Sequence, residues 1–388
     1  MDNLSALCDS AYYVFDTDKA RERVRYLRSK LPKGVKLCYA VKANTFLIPA
    51  LESEVDSLEL CSPGEAAICD SLGVLHEKTV ISGVYKTPAF IERLVFDGGD
   101  RLYTAESTAQ FDLLSRLAAK YGRRLKVLLR LTNDSQFGMD AADLERIVEE
   151  RALHPQISLE GLQFFSGTQK FSPKKLRREL NRLDAFITKL REKSGFQTRH
   201  LEYGTGFPVA YFADEEFDED AYLADFSDAL TSMENSPEIT LELGRSVAAI
   251  SGSYFTHVVD VKRNNRLNYA LVDGGMHQLV YFGQHMAMRL PKLAVCGRES
   301  EAPVGEWNIC GSLCSMNDII VKQVPLPQLK VGDTLRFDNV GAYSVTEGAA
   351  LFLSRELPAV YLLENGRARP VRRPTETACF NTPTLERN

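Results

Sequence analysis

The chain has 388 residues, 44% of them hydrophobic, which is enough for more than one core and favours two or three domains. The formal net charge is -5 with acids and bases interspersed, so the composition does not point to nucleic acid or an anionic membrane as partner. Eight cysteines without paired spacing indicate neither a disulfide scaffold nor a zinc site. With no membrane-length apolar run and no signal-peptide pattern at its start, the chain is expected to act on a small molecule in the cytoplasm.

The first predicted elements are a strand at residues 12–16, YYVFD, and a helix at residues 17–31. From about residue 36 short β-rich runs alternate with amphipathic helical patterns, as in parallel strands joined by helical crossovers. These β-rich runs are residues 36–43, 57–62, 79–84, 101–106, 126–132, 158–165, 200–206 and 239–245. Eight parallel strands close a barrel, so the sequence predicts an α/β protein with a TIM-like (β/α)8 barrel.

Two of the crossover helices have clear boundaries. One pattern runs from Glu106 to Lys120 and stops before Gly122. The other follows Ser172-Pro173, where a cap and a first-turn proline precede apolar residues at helical spacing, and it stops at Gly195.

After Arg245 the pattern changes to strands linked by turns, with few helical stretches. The predicted strands are residues 258–261, 269–272, 334–337 and 359–363. We therefore expect a second, β-rich domain of sandwich or barrel type, which the strand at 12–16 joins. The predicted domains are residues 18–250 for the barrel and residues 1–17 with 251–388 for the β domain.

Residues of unusual type lie where the predicted barrel strands end. In such barrels the functional groups occupy the carboxyl-terminal rim, where strands give way to loops. The residues at this rim are Lys42, Arg130, Phe165, Thr168, Gly204, Thr205, Gly206, Glu242 and Arg245.

Lys42 lies in CYAVKAN, an apolar strand in which an ammonium group is costly to bury. Burial is expected to lower its pKa and give a neutral amine, a nucleophile toward aldehydes and the group that anchors pyridoxal 5′-phosphate (PLP). The alternative is a strand-end lysine that reaches water.

Two further segments suit the same cofactor. The loop GTGFP offers closely spaced backbone N–H groups for a phosphate, although it can equally be a plain turn. Glu242, in the apolar segment LELGR, can keep a pyridine nitrogen protonated, and a protonated pyridinium is an electron sink for a carbanion. The alternative for Glu242 is a structural pair with Arg245.

Together these segments resemble the fold-type III, alanine-racemase-like PLP decarboxylases, the family of diaminopimelate and eukaryotic ornithine decarboxylases. The resemblance rests on an ordered series of motifs that spans nearly the whole chain. In order, the motifs are YAVKAN, LCSPGE, GLQFFSGTQ, YGTGFP, LELGR, VDGGM, GSLCSMND, LKVGDTLRF and VGAYSVTEG.

The resemblance implies a role for each matching residue. It makes Lys42 the Schiff-base lysine and Glu242 the partner of the pyridine nitrogen, and it places Arg245 near the phosphate or the substrate carboxylate. The residues implied around the cofactor as a whole are Lys42, Arg130, Phe165, Thr168, Gly204, Thr205, Gly206, Glu242, Arg245 and Tyr343. Cys314 would come from the partner subunit and protonate the α-carbon, so the resemblance implies a homodimer with shared active sites; alternatively Cys314 is an ordinary buried thiol.

Four positions depart from the family pattern. Phe165 stands where the family has a histidine on the cofactor ring, and Thr205 replaces the middle glycine of the phosphate loop. Ser315 replaces the acidic residue that contacts a distal amine. Tyr281 and His285 fall about where diaminopimelate decarboxylases carry an arginine and a tyrosine, so the distal carboxylate of diaminopimelate loses a bidentate partner.

These features predict a PLP-dependent amino acid decarboxylase whose substrate is modified or belongs to a specialised pathway. The residues expected to contact the substrate are Arg245, Tyr281, His285, Ser315 and Tyr343. One alternative is a PLP-dependent racemase, although racemases generally place an arginine at the pyridine nitrogen. Another is a non-catalytic homologue that acts as a regulator, against which the retention of Lys42, Glu242 and Cys314 argues.

Overall fold

The structure is a computed structural model that describes residues 3–384. The chain divides into two compact units, which we call the β unit (up to Ala20, Val209–Phe217 and from Val247 onward) and the barrel unit (Arg21–Pro208 and Asp218–Ser246). The domain ranges predicted from the sequence stay a prediction, and their outermost residues, 1–2 and 385–388, lie outside the described part. The two units differ from those ranges by grouping Val209–Phe217 with the β unit.

The strands and helices follow one another in the order that the alternation predicts. The strands are β1 (Tyr12–Asp16), β2 (Lys36–Ala40), β3 (Ser57–Leu60), β4 (Thr79–Ile81), β5 (Leu102–Ala105), β6 (Leu125–Arg130), β7 (Ile157–Phe165), β8 (His200–Gly204), β9 (Glu238–Leu243), β10 (Gly252–Asn264), β11 (Leu267–Val272), β12 (Leu293–Val295), β13 (Gly305–Cys310), β14 (Ile319–Leu326), β15 (Thr334–Asp338), β16 (Ala359–Glu364) and β17 (Arg367–Arg372). The helices are α1 (Thr17–Lys30), α2 (Ile48–Leu51), α3 (Pro63–Ser71), α4 (Pro88–Asp97), α5 (Thr108–Tyr121), α6 (Ala141–Glu149), α7 (Pro173–Ser194), α8 (Glu219–Thr231), α9 (Arg245–Ala248), α10 (Ser344–Glu347) and α11 (Ala378–Asn381).

Strands β2 to β9 pair in parallel and close into a barrel, which confirms the predicted fold. The first strand of the barrel, β2, is shorter than predicted: it ends at Ala40, and Val41–Ala43 form a 3-10 turn. The turn is closed by the backbone N–H of Asn44, which donates to the Val41 carbonyl at 3.1 Å. Lys42 therefore lies in the turn beyond the strand, not inside the strand as the sequence suggested.

The crossover helices bury one apolar face each. In α7 the buried residues are Leu176, Leu180, Leu183, Ile187 and Leu190, at the spacing that puts them on one side of a helix. The helix ends at Gly195, whose φ of 66° is left-handed, as predicted for its stop. Within residues 3–384 no helix is both long enough and apolar enough to cross a membrane.

The β unit is built on a mixed sheet in which β1 lies between two strands that follow the barrel in the chain, β10 and β16. Strand β1 pairs antiparallel with β10 and parallel with β16, so the N-terminal strand joins the second unit as predicted. The cluster on which this arrangement rests includes Tyr12, Val14 and Phe255, and the rings of Tyr12 and Phe255 stack at 5.0 Å between centroids. Burying aromatic surface between β1 and β10, which are far apart in the sequence, stabilises the sheet.

Candidate active site

Lys42 ends in an ion pair at the carboxyl-terminal mouth of the barrel. Ala40, at the end of β2, is paired in register with Glu59 on β3. This register brings the side chains of Glu59 and of Lys42, two residues beyond Ala40, to the same mouth. The Lys42 Nζ lies 2.6 Å from Glu59 Oε2 and donates also to Cys61 Sγ at 3.4 Å. The Glu59 side chain is 4% exposed and that of Lys42 is 44% exposed. The mouth thus presents an amine that is reachable from outside and a carboxylate that is not.

The pKa of Lys42 was expected to be low, and that expectation is wrong. Burial does act to lower the pKa of this amine, but the charge of Glu59, with smaller contributions from Cys61 and Glu242, outweighs it and raises the pKa well above its ordinary value. In return, against the effect of burial, Lys42 lowers the pKa of Glu59. The free amine is therefore an ammonium ion that must lose a proton before it attacks an aldehyde.

A second group of polar side chains lies inside the barrel on β7, β8 and β9. Gln163 Nε2 donates to Glu242 Oε1 at 2.7 Å, while Glu202, with no exposed surface, is paired in register with Gln163. Burial raises the pKa of Glu242, and the nearby Glu59 raises it further. Arg245 is the alternative partner that the sequence offered for Glu242. The Nε of Arg245 donates to Thr168 Oγ1 at 3.2 Å.

Arg130, predicted to lie near the cofactor, forms a buried ion pair with Glu106. Its Nη1 lies 2.9 Å from Glu106 Oε1, and neither side chain is more than 8% exposed. The Arg130 guanidinium also lies 4.8 Å from the centroid of the Phe137 ring. Nearby, Lys86 donates to the Gly83 carbonyl at 2.7 Å, and burial lowers the pKa of Lys86 to about 8.

The glycine loop after β8 is packed too closely for side chains at its two glycines. A Cβ added at Gly204 would lie 2.4 Å from Cδ2 of Phe165, and one at Gly206, where φ is +60°, would lie 2.1 Å from the Gly167 carbonyl oxygen. Thr205, the departure from the family pattern, donates through its hydroxyl to the Glu242 carbonyl at 3.4 Å. The loop therefore packs against Phe165 at the end of β7 and against Gly167 in the segment that follows and carries Thr168.

A buried lysine adjoins this loop that the sequence analysis did not single out. The Lys170 backbone N–H donates to the Gly206 carbonyl at 3.0 Å. Its ammonium group, on a side chain 1% exposed, pairs with Glu179 at 2.8 Å, and Glu179 also accepts from the Tyr203 hydroxyl at 2.6 Å. Burial lowers the pKa of Lys170. Lys170 is thus committed to a structural ion pair.

In the β unit, Asp318 holds together two of the motifs quoted from the sequence. Its two carboxylate oxygens accept from the backbone N–H groups of Met276 and Leu313, each at 2.7 Å. A Cβ at Gly275 or Gly311 would lie within 2.7 Å of this carboxylate, which explains the glycines in VDGGM and GSLCSMND. The loop presents Cys314 as an exposed thiol, so the alternative of an ordinary buried thiol is wrong.

The other predicted site residues of the β unit lie on three of its loops. Tyr281 is buried; its hydroxyl donates to the Asp338 carbonyl at 2.7 Å and its ring meets Tyr211 edge-on at 5.5 Å. His285 is exposed, and Ser315 Oγ accepts from the Asn317 N–H at 3.2 Å. Tyr343, just before α10, has a left-handed φ of +67°. The substrate and cofactor roles of these residues stay predictions.

Sequence reasoning missed the acidic residues that complete the barrel mouth. Glu59 lies in SLELCS and Glu202 in HLEYG, so each is an acid within an apolar run. That is the same signal that identified Glu242, and applied evenly it would have found both. Their partners could not be read in this way, because each pair joins different strands of the barrel.

Replacing Glu59 by glutamine should lower the pKa of Lys42, because burial would then act without the opposing carboxylate. We expect the midpoint of the pH dependence of Lys42 acylation in cofactor-free protein to fall by at least about one pH unit. Peptide mapping by mass spectrometry measures the rate at each pH.

The matched control is Glu238→Gln, which removes a carboxylate that pairs with Lys36 at 2.8 Å where both strands begin. This variant should leave the Lys42 midpoint unchanged. An unchanged midpoint in Glu59→Gln as well would contradict the assigned cause of the raised pKa.

Comparison with known proteins identifies the family. The family model "Pyridoxal-dependent decarboxylase, pyridoxal binding domain" matches residues 17–249. The chain is 24% identical over 396 residues to diaminopimelate decarboxylase of Aquifex aeolicus (96% of this chain, 91% of the relative). It is 25% identical over 391 residues to L-glutamyl-[BtrI acyl-carrier protein] decarboxylase of Niallia circulans (94% and 91%). The crystal structure of Helicobacter pylori diaminopimelate decarboxylase complexed with L-lysine superposes with a TM-score of 0.82 at 22% identity, covering 96% of both chains.

The groups at the barrel mouth fit PLP. An amine for the aldehyde, a carboxyl group for the ring nitrogen, and a tightly packed glycine loop beside the Thr168 hydroxyl and the Arg245 guanidinium all lie at the carboxyl ends of barrel strands. Because the family match covers more than half of the chain and the site carries this set of groups, the chain belongs to the fold-type III family of diaminopimelate and ornithine decarboxylases and is a PLP-dependent amino acid decarboxylase.

Proposed function

We propose that this decarboxylase acts on an amino acid whose distal end is modified or conjugated, and not on free diaminopimelate, lysine or ornithine. The observation that carries the proposal is the loop of Cys314, where the neighbouring residue is Ser315 in place of an acid. A serine hydroxyl carries no charge to pair with a distal ammonium group. Tyr281, near the position of the arginine that would bind a distal carboxylate, is a buried tyrosine whose hydroxyl already donates to the Asp338 backbone carbonyl.

One relative supports a conjugated substrate. By its name, the Niallia circulans enzyme decarboxylates a glutamyl group attached to an acyl-carrier protein, and the chain covers 91% of its length. When the α-carboxylate of such a substrate is the one lost as CO₂, the carrier protein occupies the distal one, which is then not free. We infer that a distal amide or a similar neutral group suits Ser315 and the surface around His285 better than a charge does.

The proposed roles at the barrel mouth follow from the groups present. Lys42 binds the aldehyde of PLP, Glu242 faces the ring nitrogen, Phe165 covers the ring, and the loop Gly204–Gly206 with Thr168 receives the phosphate. Arg245 and Tyr343 complete the binding of phosphate or substrate carboxylate, and Arg130 supports the mouth through its pair with Glu106. Bound there, the cofactor supplies an electron sink for the electron pair that CO₂ leaves at the α-carbon.

We also propose that the enzyme is a homodimer in which Cys314 of the partner subunit protonates the α-carbon. The thiol is exposed at the tip of a loop fixed by Asp318, and next to it Met316 has 94% of its surface exposed. An apolar side chain that is so exposed to water is suited to burial against a second copy of the chain. The cytoplasmic location stays a prediction, and no observation favours the racemase or regulator alternatives.

Two inactive variants should complement each other if the sites are shared. Lys42→Ala and Cys314→Ala should each abolish turnover, yet a mixture allowed to exchange subunits should regain about a quarter of the parental activity, because half of the dimers are mixed and each has one intact site. CO₂ release measures the recovery, and native mass spectrometry of the mixture establishes exchange. Full exchange without recovery would contradict shared sites.

The substrate proposal is tested by CO₂ release across a panel of L- and D-amino acids. The panel comprises diaminopimelate, lysine, ornithine, arginine and amide-linked diaminopropionate derivatives. We expect the amide-linked compounds to be turned over with the highest kcat/KM. Preferred turnover of free diaminopimelate would overturn the proposed substrate class but not the decarboxylase assignment.

A variant sharpens that test. Ser315→Asp should raise kcat/KM for ornithine or lysine by about tenfold, since it restores a charge-assisted contact to the distal amine. Ser315→Asn, of the same size but uncharged, is the control and should not. An equal gain in both variants would show that charge at this position does not select the substrate.

A further inference from the structure

Glu202 is the most buried of the barrel acids described above. It is on β8, has no exposed surface, and is paired in register with Thr240 on β9. Glu242 lies two residues beyond Thr240 on the same strand and therefore on the same face of it. The register and the shared face therefore make Glu202 and Glu242 neighbours inside the barrel.

These two neighbouring buried acids are more stable with one proton between them than with two charges. Among the described residues no N–H or O–H donor reaches either oxygen of Glu202. An ionised carboxylate only accepts hydrogen bonds, so two carboxyl groups bond to each other only if one is protonated. Glu242 already accepts from Gln163 at 2.7 Å, which favours charge on Glu242. The proton of the pair therefore belongs on Glu202.

Glu202 also connects the pair to the opposite end of the barrel. A cavity of about 470 Å³ opens at the amino-terminal ends of the strands, and Glu202, His200 and Thr240 are among its lining residues. His200 Nε2 and Thr240 Oγ1 lie 2.9 Å apart along this wall. Glu202 thus lies between this cavity and Glu242, and its own carboxyl group has no exposed surface.

We propose that Glu202 is a positioning residue of this decarboxylase. As a neutral acid it donates a hydrogen bond to Glu242, and this bond keeps Glu242 ionised where it faces the pyridine nitrogen. The proposal rests on the proposed place of Glu242 beside the cofactor. No proton is transferred to the substrate by Glu202; it remains the donor throughout.

The charged and titratable surroundings agree with a neutral Glu202. It is faced by Glu242 from β9, Glu59 from β3, Lys42 from the turn after β2 and Cys38 from β2. Burial raises the pKa of Glu202 well above its ordinary value, Glu242 and Glu59 raise it further, and only Lys42 opposes them. Ionising Glu202 would add a third carboxylate to Glu59 and Glu242, with Lys42 as the lysine that acts on all three.

The protonation state is tested without reference to activity. In infrared spectra the parent protein at pH 7 should show a protonated-carboxyl carbonyl band that disappears in Glu202→Gln. Because folding raises the pKa of Glu202, the parent should also lose stability relative to Glu202→Gln as pH rises from about 4 to 8. The difference in Tm, variant minus parent, should grow over this range. A missing band together with a pH-independent difference would overturn the neutral acid.

The effect on the cofactor is tested by the ¹⁵N chemical shift of ring-labelled PLP bound to the protein. Glu202→Gln keeps a donor toward Glu242 and should keep the shift of a protonated ring nitrogen. Glu202→Leu removes the donor, so its shift should move toward that of a neutral pyridine and its Kd for PLP should rise about tenfold. The control, Glu160→Gln, alters a carboxylate of the same cavity that pairs with Arg199 at 2.9 Å, and it should change neither.

The outcomes separate this proposal from the one on which it rests. If Glu242→Gln changes the ¹⁵N shift but Glu202→Leu does not, Glu242 has its proposed place and the role of Glu202 is overturned. If neither variant changes the shift, the proposed place of Glu242 beside the ring nitrogen is contradicted, and the role of Glu202 that rests on it is overturned as well. A shift in Glu202→Leu with Glu202→Gln at the parental value supports the donor role.

Discussion

The pairing of charge inside a closed barrel is the constraint on which the site depends. Lys42 and Glu59 are held 2.6 Å apart at the mouth, and Arg130 and Glu106 form a second ion pair inside the barrel. An unpaired charge in such a place is costly, and both of these cations have an acid from a neighbouring strand. The barrel supplies those partners because its register sets side chains of adjacent strands beside one another.

This pairing has a chemical consequence for the amine. Glu59 keeps Lys42 charged, so the amine proposed to bind the cofactor is held as an ammonium ion and must lose a proton before it can act as a nucleophile. For the acids on β8 and β9, in contrast, charge on both at once is disfavoured, because they outnumber the lysine beside them. Burial raises the pKa of both Glu202 and Glu242. The same interior thus favours a charged amine at the mouth and a proton deeper in.

The fold was predictable because alternation and helix boundaries are local signals. All eight barrel strands and the place of β1 in the second sheet followed from them. Lys42 and Glu242 were also found, since a charged residue in an apolar run is visible in the sequence. The pKa of Lys42 was not, because its direction depends on Glu59, which is 17 positions away in the chain and adjacent only once the barrel closes. The Cys314 loop likewise owes its geometry to Asp318 and two glycines that only the folded unit brings together.

The central claim is that Lys42, among several buried or partly buried lysines, is the one that holds the cofactor. Borohydride reduction of the PLP-loaded protein followed by peptide mapping tests it directly, because reduction fixes the cofactor to its lysine. The account predicts that the label lies on Lys42 alone. Label on Lys86, whose pKa is lowered to about 8, or on Lys170 beside the glycine loop, with Lys42 unmodified, would contradict it.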